Sequence, residues 1–196
     1  MNLLRAFIAL EIPNTIQQAI LQATRVLQVE TRAFIRWIAP ENIHLTLKFL
    51  GDVPPTSMDN ITQMLRTEAD ACQPFDIQIE GLGSFPSLKR PRVVYIGIQA
   101  PAGLEALYRG IDSASKRLGY ESDAKGGRGF SPHLTIGRVR GDASGMDQQK
   151  IRRAIEATTI DSLGTARVDS VHLYKSELKP GGAVYSKLFS TPLNPK

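Results

Sequence analysis

The chain has 196 residues, 42% apolar and 22% charged: long enough for a buried core and too balanced for a disordered or fibrous protein. Its net charge of +5 favours an anionic partner, although a solvated basic surface accounts for the same number. Cys72 is the single cysteine, which excludes an intramolecular disulfide. The apolar start from Met1 to Ile8 meets Glu11 and Pro13 too soon for a signal peptide or membrane span, so a cytoplasmic protein is expected.

Arg5 to Leu10 reads as a strand ended by Pro13. Asn14 or Thr15 is placed to cap a helix whose apolar stripe is Ile16, Ala19, Ile20, Ala23, Val26 and Leu27. Phe34 to Ile38 is a short extended piece. Ile43 to Leu50 is a strand closed by Gly51-Asp52. Pro54-Pro55 precedes a helix with Met58, Ile61, Met64, Leu65 and Ala69 on one side, where Cys72 packs as a small apolar residue. Phe75 to Ile79 alternates as a strand. Gly81 to Arg92, rich in glycine, proline and basic residues, reads as a mid-chain connection.

Val93 to Gln99 is the next strand. Leu104 to Leu118 is a helix with Leu104, Leu107, Tyr108, Ile111 and Leu118 inward. A glycine-rich loop, Gly126 to Gly129, leads into a strand from Pro132 to Val139. Met146 to Ala157 is a helix and Ala166 to Lys175 a strand. Pro180-Gly181-Gly182 turns the chain into a last strand, Ala183 to Phe189. The order strand, helix, strand, helix, strand occurs twice, from Arg5 to Glu80 and from Val93 to Lys175. It predicts an α+β, bilobal fold with halves of about 1–84 and 92–196. The lobes are related by a rough twofold, their antiparallel sheets facing a central cleft with helices outside.

Two of the three histidines lie in matching tetrapeptides 89 residues apart, His44-Leu45-Thr46-Leu47 and His133-Leu134-Thr135-Ile136. In a strand, His and Thr of each copy share one face and the apolar residues take the other. A lone strand histidine is most often structural; the repetition with Thr at the same offset argues against that. Two imidazoles can divide acid and base work near neutral pH, one taking a proton from water and one giving a proton to a leaving oxygen. That is what phosphodiester hydrolysis needs on opposite sides of phosphorus. The hydroxyls of Thr46 and Thr135 can donate to the non-bridging oxygens, and Arg138 can add a guanidinium fork. Strand parity puts Arg138 on the wrong face unless a bulge or bend at Gly137 brings it round.

Other chemistries fit less well. Three histidines can ligate zinc, but the motifs bring no carboxylate or thiolate and there is no H-x-H or H-E-x-x-H, so no metal and no cofactor are expected. There is no G-x-S-x-G for a serine hydrolase, and Gly81-Leu82-Gly83 lacks the third glycine of a dinucleotide loop. His172 has no motif context and reads as structural or surface. Arg5 and Phe7 share a face of the first strand. If that face borders the cleft, Phe7 can stack on a base, and a core position is the even alternative. Arg36, Lys48, Lys89, Arg90, Arg92, Lys125 and Arg128 lie near or between the motif segments. Together they would form a basic rim for an RNA backbone, though each alone reads as a solvated charge.

Five segments carry a family resemblance. They are Arg5-Ala6-Phe7-Ile8-Ala9 with Pro13; Trp37 with Asn42 to Gly51; Phe85-Pro86 with Pro91-Arg92-Val93; Phe130 to Arg138; and Ser176, Pro180-Gly181 and Tyr185. Together they resemble the two-histidine phosphoesterase superfamily over essentially the whole length. Within it, the chain is most similar to the bacterial and archaeal RNA 2′,3′-cyclic phosphodiesterases, also called 2′-5′ RNA ligases. The resemblance implies a single two-histidine phosphoesterase domain over 1–196 and metal-independent hydrolysis of an RNA terminal 2′,3′-cyclic phosphate to a 2′-phosphate. It implies His44 as proton donor, His133 as proton acceptor and Arg138 as a phosphate contact. The implied partner is RNA with a cyclic phosphate end, or a small cyclic nucleotide; no membrane is involved and a monomer is expected. Two alternatives stay open: a reversible 2′-5′ RNA ligase acting on tRNA halves with the same residues, and a non-catalytic nucleotide- or RNA-binding module.

Overall fold

In the first strand, β1 (Leu4–Glu11), five consecutive residues from Ala6 to Leu10 are buried, which marks a central strand covered on both faces. The computed structural model describes residues 3–121, 129–179 and 182–194. Helices α1 (Asn14–Ala23) and α2 (Arg25–Thr31) follow. The cap of α1 is Pro13, with no side-chain cap bond, so Asn14 is already helical rather than capping. The buried line is narrower than the periodicity suggests. Ile16, Ile20, Leu27 and Thr31 face inward while Ala23 and Val26 face solvent. Thr24, where the two helices join, is fully buried and its hydroxyl donates to the Ile20 carbonyl at 2.7 Å.

The remaining elements are β2 (Ile35–Trp37), β3 (His44–Val53), α3 (Met58–Asp70), β4 (Phe75–Phe85), β5 (Val93–Gln99), α4 (Ala102–Arg117), β6 (His133–Val139), α5 (Gly145–Glu156), β7 (Ser162–Val168), β8 (Ser170–Lys179) and β9 (Gly182–Pro192). Two differ from the sequence pattern. β4 runs six residues beyond Ile79, through the glycines read as a connection. Glu80 pairs with Gly97 and Leu82 with Ile96, so Gly81 (φ +74°) is the extra residue of a bulge that only glycine adopts readily. Ala166 to Lys175 is two strands, because β7 pairs with β4 and β8 pairs with β1.

All pairings are antiparallel, in the order β7-β4-β5-β6-β3-β1-β8-β9, with β2 alongside β6. The α+β class and the central placement of the motif strands follow the sequence reading. The order does not divide at the mid-chain connection. β4, from the first half, joins β5 beside the second motif strand; β8 and β9, from the second half, join β1 beside the first. β4 with β5, and β8 with β9, pair as hairpins of consecutive strands, and the β4–β5 hairpin crosses the boundary between the two halves. Only Asp169 separates β7 from β8, although they sit toward opposite ends of the order. Two Cα steps span about 7 Å, so the sheet curls until its flanks meet there.

The helices cover one face. Leu45, Leu47, Leu134 and Ile136 turn into a single apolar core with Ile61 and Leu65 of α3, Leu107 and Ile111 of α4, and Ile151 and Ile155 of α5. Lys48 also points there. It is 1% exposed, its Nζ lies 2.8 Å from the Asp112 carboxylate on α4, and it donates to the Glu121 carbonyl as well. It is therefore a core ion pair rather than part of a basic rim. Lys125, Arg128, Gly126-Gly127 and Pro180-Gly181 lie outside the described residues.

Candidate active site

β3 and β6 touch at one bridge, Leu45 opposite Leu134, both buried. Because those leucines turn toward the helices, His44, Thr46, His133 and Thr135 turn the other way, and all four line one cleft of about 940 Å³. In an antiparallel pair centred on Leu45 and Leu134, each histidine faces the threonine of the opposite strand.

The imidazoles are held alike. Nδ1 of His44 lies 2.8 Å from the Asn42 carbonyl, and Nδ1 of His133 lies 2.8 Å from the Ser131 carbonyl, two residues upstream in each case. A carbonyl only accepts, so each Nδ1 carries a hydrogen and donates it. Nε2 is then the atom that gains or loses a proton. Burial lowers both pKa values below the ordinary imidazole value. The nearby Arg138 charge adds to this, and the carbonyl hydrogen bonds oppose it.

Aromatic rings fix both histidines. His44 is stacked on Phe7 (centroids 4.9 Å apart, 28°) and meets Tyr185 edge-on at 5.2 Å. His133 meets Phe85 edge-on at 4.9 Å and Tyr95 at 5.4 Å. Gly83 makes room for Tyr95, since a Cβ there would lie 2.6 Å from the phenol ring. Phe7 is 3% exposed, with His44 near one face and Tyr174 stacked at 5.3 Å. Phe7 lines the cleft and forms a wall beside His44.

The parity problem at Arg138 is solved by matched bulges. On β3, Ala9 pairs with Thr46 and Ile8 with Lys48, leaving Leu47 extra. On β6, Tyr95 pairs with Thr135 and Val94 with Gly137, leaving Ile136 extra. The extra residue is the third after each histidine, and it reverses the alternation. The fifth residue therefore returns to the cleft, as Phe49 on β3 and Arg138 on β6, and both line it. The fourth residue turns to the core, as Lys48 and Gly137. Equivalent positions thus carry a phenyl ring on one side and a guanidinium on the other.

Arg5 and Arg92 line the cleft too, and Arg36 lies directly across from Arg138. Lys89 and Arg90 are exposed on the 86–92 connection. Phe49, Tyr95 and Tyr185 had no motif to single them out as site residues. Phe49 and Tyr185 fall within segments that carry the resemblance without being marked there as site residues, and Tyr95 shows only as an aromatic at an alternating strand position, which a core produces equally well. His172 stands apart from the cleft, 3% exposed and 3.5 Å from the Glu11 carboxylate. Among the described residues no three His, Cys, Asp or Glu side chains gather as a metal-ligating group, and no helix is long and apolar enough to cross a membrane.

A family model described as the 2′-5′ RNA ligase superfamily matches residues 2–180. The chain is 32% identical to an RNA 2′,3′-cyclic phosphodiesterase of Methanothermobacter thermautotrophicus, covering 94% of this chain and 96% of that one. It is 30% identical to an RNA 2′,3′-cyclic phosphodiesterase of Archaeoglobus fulgidus, covering 94% and 98%. Among solved structures, one from Thermus thermophilus superposes with a TM-score of 0.77 at 26% identity over 96% of this chain and 97% of the other. E. coli LigT complexed with 3′-AMP superposes with a TM-score of 0.74 at 27% identity over 97% and 98%.

Proposed function

The chain belongs to the 2′-5′ RNA ligase superfamily, and on that premise we propose that it is an RNA 2′,3′-cyclic phosphodiesterase that opens the cyclic phosphate to a 2′-phosphate with its two histidines. The observation that carries this reading is the identical mounting of His44 and His133, Nδ1 on a carbonyl and Nε2 left to exchange protons at one cleft.

Neutral His133 takes a proton from water through Nε2, and the oxygen attacks phosphorus opposite O3′. The P–O3′ bond breaks as Nε2 of protonated His44 gives its proton to O3′, and the phosphate stays on O2′. The order of the two roles follows the family resemblance of the motifs. Thr46 and Thr135 donate hydroxyl hydrogens to the non-bridging oxygens, where charge builds. Arg138 supplies fixed positive charge beside them. Each step uses a side chain of this chain, and the reading calls for no metal. The same residues serve a 2′-5′ ligase if a ribose 5′-hydroxyl replaces water.

The test is product analysis of 2′,3′-cyclic AMP and a short cyclic-phosphate RNA incubated in EDTA, beside His44→Ala and His133→Ala. The expected result is the 2′-phosphate alone, slowed by about 10²–10⁴-fold in each variant. A 3′-phosphate product, rescue by added metal, or activity retained in either variant overturns the reading. Joining of an added 5′-hydroxyl RNA identifies ligase activity. Nucleotide affinity without turnover identifies the binding module.

A further inference from the structure

Arg36 on β2 and Arg138 on β6 are directly opposed in an antiparallel pair, and Val93, next to Arg92, is the partner of Arg138 on its other side. Directly opposed residues share a sheet face. Arg138 and Arg92 line the cleft, and Arg36 shares the sheet face of Arg138 just outside that lining. Ile35 and Trp37 lie on the opposite face, against the position a Cβ on Gly137 would take. All three arginines are exposed, and none has an ion-pair partner among the described residues.

Like charges placed directly opposite on a sheet are destabilising. Two arginines held side by side, with a third on the neighbouring strand, constitute an anion site larger than one cyclic phosphate requires. Arg138 is the one whose charge reaches both imidazoles, and it is matched to the reacting phosphate. Arg36 and Arg92 are left for a second anion a short distance away. In an RNA chain that anion is the phosphodiester joining the terminal nucleotide to the one before it. The planar guanidinium fork suits such an oxyanion.

We propose that Arg36 and Arg92 form a second phosphate subsite that takes the internucleotide phosphate next to the cyclic end, so that the cleft selects RNA chain ends over free cyclic mononucleotides. This rests on the phosphodiesterase reading above and adds its substrate class. A cyclic mononucleotide carries the reacting phosphate but nothing for the second subsite.

The experiment compares three substrates with the full chain. They are 2′,3′-cyclic AMP, the dinucleotide ApA ending in a 2′,3′-cyclic phosphate, and the same dinucleotide with an uncharged methylphosphonate linkage. For the unmodified protein, KM for the charged dinucleotide is expected about tenfold below that of the methylphosphonate, the size of one charge-assisted hydrogen bond. In Arg36→Gln and Arg92→Gln that ratio collapses toward one while kcat holds. Variants that weaken both dinucleotides equally, preserving the ratio, show a structural role and overturn the proposal. So does an unmodified protein that does not distinguish the two linkages. Turnover of none of the three substrates instead overturns the phosphodiesterase reading, and this inference with it.

Discussion

Phe7 lies face to face with His44, 4.9 Å between ring centroids, and Tyr174 stacks on Phe7 in turn at 5.3 Å. The stack shields the imidazole from water, and burial is the leading cause of its lowered pKa. Phe7→Leu keeps an apolar side chain but removes the ring. The His44 pKa should then rise toward the ordinary value near 6.5, read by NMR titration of the imidazole. An unmoved titration shows that Phe7 does not set the proton affinity of His44.

The rate should depend on pH as a bell, because one imidazole must be charged and the other neutral. Both free-enzyme pKa values are lowered, so the kcat/KM maximum should fall below about pH 6.5. Bound phosphate offsets the Arg138 charge, which raises both values and moves the kcat bell to higher pH than the kcat/KM bell. The apparent values belong to the pair. A profile with one limb contradicts the paired roles, and superimposed bells contradict the offset of the Arg138 charge.

Lys48 should matter for stability and not for RNA. Its ammonium sits 2.8 Å from Asp112 at 1% exposure, and Asp112 keeps Lys116 at 2.8 Å when Lys48 is lost. Because Lys116 still pairs Asp112, Lys48→Ala should cost less than the roughly 3–5 kcal/mol of a buried charge left unpaired, and Lys48→Met less again because it keeps the volume. Urea unfolding measures both. A rise in KM for RNA without lost stability would place Lys48 in the cleft after all.

Gly137 tests the geometry that aims Arg138. A Cβ there would lie 2.7 Å from Ile35 Cγ2 and 3.1 Å from the Trp37 ring. Gly137→Ala should destabilise by roughly 1–3 kcal/mol, as overpacking does, and lower activity by pushing β2 from β6. Denaturation and kinetics together check this. Full activity at lower stability separates packing from the aim of Arg138.

Acid should destabilise the fold within the imidazole range. His172 is 3% exposed with Nδ1 unpartnered, and burial lowers its pKa although the Glu11 carboxylate pulls it up. His44 and His133 are lowered as well. Below about pH 6.5 the unfolded chain binds protons that the native chain resists, so stability falls as pH drops through the native values and is flat above. Urea midpoints at pH 7.5 and 5.5 should differ, and by less in His172→Asn. A midpoint that rises on acidification refutes the sign. Burial raises the Glu11 pKa, but hydrogen bonds from Lys187 and Tyr174 outweigh it. Its contribution is lost only further down, in the carboxylate range.

The repeated His-x-Thr tetrapeptides and the alternation around them determined which side chains leave the core, because a strand has only two faces. The order of apolar periods determined the α+β class for the same local reason. What each strand pairs with is not local. That β4 joins β7, that β1 joins β8, and that one residue at Asp169 separates strands toward opposite ends of the sheet, depend on edges that meet only after folding. The bulges at Leu47 and Ile136 are of this kind too. Strict alternation sends Lys48 to the cleft and Arg138 to the core side; the mismatched registers with β1 and β5 reverse both. The sequence could place two histidines on one face. Only the paired strands decided that a phenyl ring and a guanidinium stand at equivalent points beside them, and that Phe7 stacks against His44.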